Sequence, residues 1–184
     1  MTFWKQVRER RGYYIVSLTV LALDQITKIV AHASLPGRGP VEVVPGLFNL
    51  WYSRNPGGLF GYFGQVGAPW RTILLTAFPL LAIVVIGVFL AKTDEPDRST
   101  KFGLALILGG ATGNLIDRVF RGEVVDFLDV YASNERVAAW LVEQFGTAHW
   151  PTFNIADSAI VVGAILLVLD ILRPERTADG VPEA

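Results

Sequence analysis

Residues 70–91 read WRTILLTAFPLLAIVVIGVFLA, from Trp70 to Ala91, with Arg71 as the single charge. At a rise of about 1.5 Å per residue, such a helix crosses a hydrocarbon core of roughly 30 Å. Pro79 lies inside it, which a transmembrane helix tolerates. Three further apolar stretches of similar length flank it, at about 13–31, 102–120 and 155–172. Composition agrees. The 184 residues are 52% hydrophobic and 18% charged, with mean hydropathy +0.42, whereas soluble domains run about 45–50% apolar and about 25% charged. A soluble two-domain enzyme and a disordered tail are excluded. A net charge of −1 gives no field for nucleic acid, and with no cysteine there is no disulfide, thiolate nucleophile or Cys-based metal site.

The expected fold is therefore an all-α integral membrane protein. It has four transmembrane helices, a small β-hairpin or sheet, and an amphipathic helix in the outer loops. Residues 1–184 form one domain. Lys and Arg cluster at Lys5–Arg11, at Lys92–Lys101 and at Arg173–Arg176. Four spans place all three clusters on one side, which the positive-inside rule makes cytoplasmic. Both termini are then inside, with outer loops at 32–69 and 121–154. A cleaved signal peptide ending at Ala31-His32-Ala33 is the competing reading, but Asp24, Gln25 and Lys28 sit where such a peptide rarely places charges.

Val41–Val44 and Leu47–Tyr52, joined by Pro45-Gly46, read as a hairpin. In the second outer loop Val137, Trp140, Leu141 and Phe145 share one helical face. Ser133 or Asn134 would cap that helix and Gly146 would end it. Its apolar face either packs on the protein body or lies in the headgroup layer with Trp140 and Trp150 as anchors.

Charges within spans are costly and mark function by default. Here they gather at one depth. Asp24 and Lys28 fall in the outer half of span one. Asn114, Asp117 and Arg118 end span three, Asp126 follows it, and Asn154 and Asp157 begin span four. Asp24–Lys28 and Asp117–Arg121 are spaced i,i+4 and can pair, while Arg118 needs a partner elsewhere. For Asp24, Lys28 and Arg118 a scaffolding role is favoured over direct chemistry. Asp126 and Asp157 differ, being carboxyls in semi-apolar settings without an adjacent base. If they face each other they titrate as a coupled pair, and such a pair hydrolyses amides by general acid–base catalysis. The alternative is two helix caps or interface carboxylates.

Other chemistries fit less well. With only His32 and His149 and no His-Glu-x-x-His, no zinc site is expected. There is no nucleophile elbow and no P-loop, and a Ser158–Lys28 pair is a weak option. Gly109-Gly110-Ala111-Thr112-Gly113 suits close helix packing. No metal or cofactor is indicated.

Five segments together resemble the lipoprotein signal peptidase (signal peptidase II) family. They are Asp24-Gln25-Ile26-Thr27-Lys28, Asn55-Pro56-Gly57-Gly58-Leu59-Phe60-Gly61, Gly109–Arg118, Val125-Asp126-Phe127-Leu128-Asp129 and Phe153–Ser158. The resemblance implies a four-helix aspartic peptidase of the bacterial inner membrane, with cytoplasmic termini and a site near the outer face. Such an enzyme cleaves diacylglyceryl-modified prolipoproteins N-terminal to the lipidated cysteine. It also implies inhibition by globomycin-type antibiotics and contact with membrane lipid, and a monomer is expected. The family's two catalytic aspartates fall on Asp126 and Asp157. Asp24, Lys28, Asn55, Gly57, Asn114, Arg118, Asn154 and Ala156 match positions that bind substrate or support the site. Two departures stand out: Gly58 where many members have Ala, and a long 129–153 segment. The faces of spans one and three are expected to receive the signal helix, and Phe60, Tyr62 and Phe63 to form a lid. A proton-coupled transporter and a non-cleaving precursor chaperone are the other two functional readings. The transporter lacks polar residues in the inner half of the membrane.

Overall fold

The computed structural model describes residues 10–57, 68–92 and 98–173. In chain order these form α1 (Arg11–Ser34), β1 (Val41–Val44), β2 (Phe48–Asn55), α2 (Ala68–Lys92), α3 (Arg98–Arg121), β3 (Val124–Val130), α4 (Glu135–Phe145) and α5 (Ile155–Ile171). The four long helices sit where the apolar stretches predict them. By length and composition, α1 and residues Ile73–Ala91 of α2 can cross a membrane. α3 carries Asp117, Arg118 and Arg121 near its end, and the 17 residues of α5 reach only about 26 Å.

The bundle is polar inside and apolar outside. Asp24, Lys28, Asp117, Asp129 and Asn154 are fully buried, while Leu18, Phe78, Val161 and their neighbours stand exposed. In water this distribution would be costly; lipid makes it favourable. α1 runs unbroken through Ala31, His32 and Ala33 and carries Asp24 and Lys28 into the core.

α3 is the hub, packed by α5, α1 and α2. Small residues allow the close approach. A Cβ on Gly163 would lie 2.6 Å from the carbonyl oxygen of Gly103 and 2.7 Å from Ile107 Cγ1. Gly163→Ala is therefore expected to cost about 1–3 kcal/mol through overpacking. A Cβ on Gly87 meets nothing within 4 Å, so Gly87→Ala should hold or gain stability, since Ala outranks Gly in a helix by about 1 kcal/mol. Thermal unfolding of the two variants in detergent checks the contrast; equal midpoints would rule out the close-packed seam.

The sheet is antiparallel, ordered β1-β2-β3. The predicted hairpin forms β1 and β2. The third strand comes from the other outer loop, where the sequence pattern gave no strand. Val124–Val130 is nearly all buried, so the alternation that marks a half-buried strand is missing. Ser53 pairs with Asp126, and a register shift lies between Leu50 and Ser53.

Asn134, not Ser133, caps α4, accepting from the backbone N–H groups of Arg136 and Val137, and Gly146 ends it in the left-handed conformation. No residue of α4 is fully buried; Ala138 and Leu141 are half-buried, and Leu141 and Phe145 line a cleft toward Leu47 and Val130. The chain then doubles back on β3. Trp150 N donates to Val130 O at 2.8 Å, and Phe153 exchanges bonds with Leu128 at 3.0 and 2.9 Å.

Candidate active site

Lys28 occupies the centre of the polar core. Its ammonium has three donors and no acceptor, and it is fully buried. Three acceptors meet it: Asp24 Oδ2 at 2.9 Å, Asp117 Oδ2 at 3.1 Å and Asn114 Oδ1 at 2.8 Å. Both predicted i,i+4 pairs thus form, since Asp117 also pairs with Arg121. The carboxylates tie in other elements. Asp24 Oδ1 accepts from the backbone N–H of Ala156 at 3.0 Å, fastening the first turn of α5 to α1. Asp117 Oδ2 accepts from Val125 N at 3.1 Å, fixing the start of β3. Gln25, unassigned by sequence reasoning, donates to Asp24 Oδ2 at 3.1 Å.

Three asparagines form the next layer, and each is oriented by a donor at its oxygen. Lys28 faces Asn114 Oδ1, so Asn114 Nδ2 points away and donates to Asp157 Oδ1 at 2.8 Å. Asn154 caps α5; its Oδ1 accepts from Asp157 N at 3.0 Å, leaving Nδ2 to donate to Asp126 Oδ1 at 2.8 Å. Asn55 Oδ1 accepts from Gly57 N at 2.9 Å, and its Nδ2 donates to Asp126 Oδ2 at 3.1 Å. Gly57 has φ of 93°, and a Cβ there would collide with Leu75 of α2, so the turn that orients Asn55 needs glycine.

Asp126 on β3 and Asp157 on α5 are thereby held in one cage. Every carboxylate oxygen accepts one N–H: the two of Asp126 from Asn154 and Asn55, and the two of Asp157 from Asn114 and the backbone of Asn154. Asp157 also completes the capping box of α5. The cap alternative is thus met by Asp157, which also shares Asn154 as a donor with Asp126. The two carboxylates interact through their charges. Burial, followed by the charge of Asp157, pushes Asp126 up to about 6 from its ordinary 3.8, against the opposing hydrogen bonds from Asn55 and Asn154.

Arg118 lies within electrostatic reach of Asp157, Asp126 and Asp117. Its buried Nε has no hydrogen-bond partner among the described residues. The suggested Ser158–Lys28 pair is not present: the Ser158 hydroxyl donates to Asn154 O at 3.0 Å. Among the described residues no group of side chains fits a metal ion. Gly58 and the proposed lid residues Phe60, Tyr62 and Phe63 lie outside the described residues.

A second buried cluster escaped sequence reasoning. Fully buried Asp129 accepts from Asn49 Nδ2 at 3.0 Å, and its Oδ1 lies 2.9 Å from His149 Nδ1. It pins the returning end of the 129–153 segment to β3. The only signal was a second carboxyl in the apolar run around Asp126.

The fold is that of a bacterial membrane enzyme. Two solved structures described as bacterial membrane enzymes determined by the in meso method share it, each with a TM-score of 0.72. One, at 2.3 Å, is 25% identical over 94% of this chain and 93% of its own. The other, at 1.9 Å, is 26% identical over 89% and 94%. The signal peptidase (SPase) II family model matches residues 16–173. Lipoprotein signal peptidases of Solibacter usitatus and Geobacter metallireducens are 39% and 42% identical, covering 91% and 90% of this chain and 94% and 93% of their own lengths. The chain belongs to the signal peptidase II family.

Proposed function

We propose that this protein is an aspartic endopeptidase of the bacterial inner membrane. It removes the signal peptide from diacylglyceryl-modified prolipoproteins, cutting N-terminal to the lipidated cysteine. The observation that carries the reading is the amide cage that presents Asp126 and Asp157 together. With its pKa raised to about 6, Asp126 keeps a protonated fraction near neutrality, as a general acid requires. One carboxylate takes a proton from water, whose oxygen attacks the scissile carbonyl carbon. The protonated partner donates to the carbonyl oxygen; as the C–N bond breaks, the first carboxyl passes the proton it took from water to the leaving nitrogen, and the partner regains its own from the hydroxyl of the collapsing intermediate. The unpartnered Nε of Arg118 is a donor available to substrate. Asp24, Lys28, Gly57 and Ala156 act at one remove, by fixing the three asparagines and the first turn of α5.

Four spans with cytoplasmic termini bring these residues to the outer side of the bilayer, where a lipidated precursor presents its cleavage site. A groove of about 280 Å³ between α1 and α3, walled by Tyr14, Leu18, Leu21, Leu108 and Gly109, supports docking of the apolar signal helix there. All cage residues come from one chain, so a monomer suffices, and a globomycin-type inhibitor would compete at the cage. The test is incubation with a synthetic diacylated precursor. Mass spectrometry should find a product beginning at the lipidated cysteine, and none from the unlipidated peptide. Precursor bound without product release would favour the chaperone reading instead.

A further inference from the structure

α4 is a well-formed helix that the described residues cover only in part, at Ala138 and Leu141. Both ends are capped, yet none of its residues is buried. Val137 is 48% exposed, Trp140 55% and Phe145 69%. On the opposite arc lie Glu135 and Glu143, and Arg136 borders it one turn from Trp140. Such a helix is either partnered or unstable in water.

The surroundings identify the partner. Trp70 lies in the first turn of α2, at the outer end of the most apolar helix, and is 66% exposed. Trp150, just after α4, is 65% exposed, and Trp51 on β2 is 41% exposed. Tryptophans at the ends of membrane helices mark the headgroup level, and Trp150, four residues after α4 ends at Gly146, sets the apolar face of α4 beside such a marker. An apolar cleft of about 470 Å³ separates α4 from the sheet, walled by Leu47, Val130, Leu141, Phe145 and Trp150. Water finds few partners in such a cleft, whereas lipid chains fill it favourably.

We infer that α4 lies in the outer headgroup layer of the bilayer with Val137, Trp140 and Phe145 turned into the lipid, so that the partner of this surface is the membrane itself. Two acids on the polar arc and one base at its border give little attraction to anionic lipid, so the apolar area supplies the binding, and zwitterionic lipid at high salt suffices. The inference rests on the membrane placement proposed above and is independent of the peptidase chemistry.

The chain contains no cysteine, so single cysteines can be introduced and spin-labelled. The full chain, carrying Val137→Cys, Trp140→Cys, Arg136→Cys or Glu143→Cys, is placed in phosphatidylcholine nanodiscs. Collision rates with oxygen and with a water-soluble nickel chelate are then measured, with exposed Val84 of α2 labelled through Val84→Cys as the lipid reference. Oxygen should exceed nickel several-fold at 137 and 140, as at 84, and nickel should exceed oxygen at 136 and 143, with both patterns unchanged by added salt. Nickel accessibility at 137 and 140 with a lipid-like label at 84 overturns the inference while leaving the membrane placement intact. A water-exposed label at 84 overturns both. Labels at 137 and 140 that broaden each other across two chains, or are shielded from both colliders, also overturn it, by assigning the face to a second copy or to another segment of this chain.

Discussion

Asp126→Asn and Asp157→Asn are each expected to lower cleavage of a diacylated precursor by about 10²–10⁴-fold, the range that a positioned proton-transfer group contributes, while the protein stays folded. Asparagine keeps the shape of the carboxyl but can neither accept a proton from water nor pass one on. In Asp126→Asn the new amide N–H group faces Asn55 Nδ2 or Asn154 Nδ2, a donor–donor conflict worth about 1–3 kcal/mol. Relief of a buried charge offsets it. The pH dependence of stability separates the two effects. Folding raises the pKa of Asp126 from 3.8 to about 6, so between pH 4 and 6 the folded protein holds more protons at this site than the unfolded chain. Its contribution to stability is present in full below pH 4 and is lost as pH rises through 6, about 3 kcal/mol in all. Thermal unfolding of wild type and Asp126→Asn from pH 4 to 8 should show wild type losing ground to the variant across that window and running parallel to it above. The kcat/KM profile of the wild type should bend near pH 6. Cleavage retained in either variant would refute the assignment of roles, and a pH-independent difference in unfolding would refute the raised pKa.

The depth of the polar residues made most of the cluster legible in sequence. Span directions alone bring Asp24, Lys28, Asn114, Asp126, Asn154 and Asp157 to one level, and the i,i+4 spacing anticipates both ion pairs within helices. What spacing cannot supply is the direction of an amide. That Asn114 turns its nitrogen to Asp157 follows from Lys28 facing its oxygen, and Lys28 lies 86 positions away in the chain. Nor could spacing decide whether Asp157 caps a helix or faces Asp126: it caps α5, and Asn154 bonds both carboxylates. β3 was hidden for a related reason: a strand buried on both faces has no period-two signature, and Asp126 and Asp129 look like flaws in an apolar run until Asn55 and Asn49 are seen to meet them.

Lys28→Met tests the layer on which the cage stands. Exposed ion pairs are worth at most about 1 kcal/mol, and the rim pair Arg54–Glu123 belongs to that class. Lys28 does not. Its removal leaves Asp24 and Asp117 buried without their shared cation, and breaking a buried pair this way costs about 3–5 kcal/mol, enough to shift the unfolding midpoint by many degrees. A second loss is chemical. Asn114 Oδ1 then keeps only the 3.2 Å bond from Asn154 Nδ2, a donor it shares with Asp126, so the hold that turns the Asn114 nitrogen toward Asp157 is weakened. Lys28→Met/Asp24→Asn distinguishes the two losses, since removing one acid restores part of the charge balance and should recover part of the stability. It does not restore the donor facing Asn114, so cleavage per folded molecule should stay as low as in Lys28→Met. Recovery of activity in step with stability would mean that Lys28 only holds the fold together. Stability without activity would place it as the residue that aims an amide at Asp157, through a contact it never makes with the substrate.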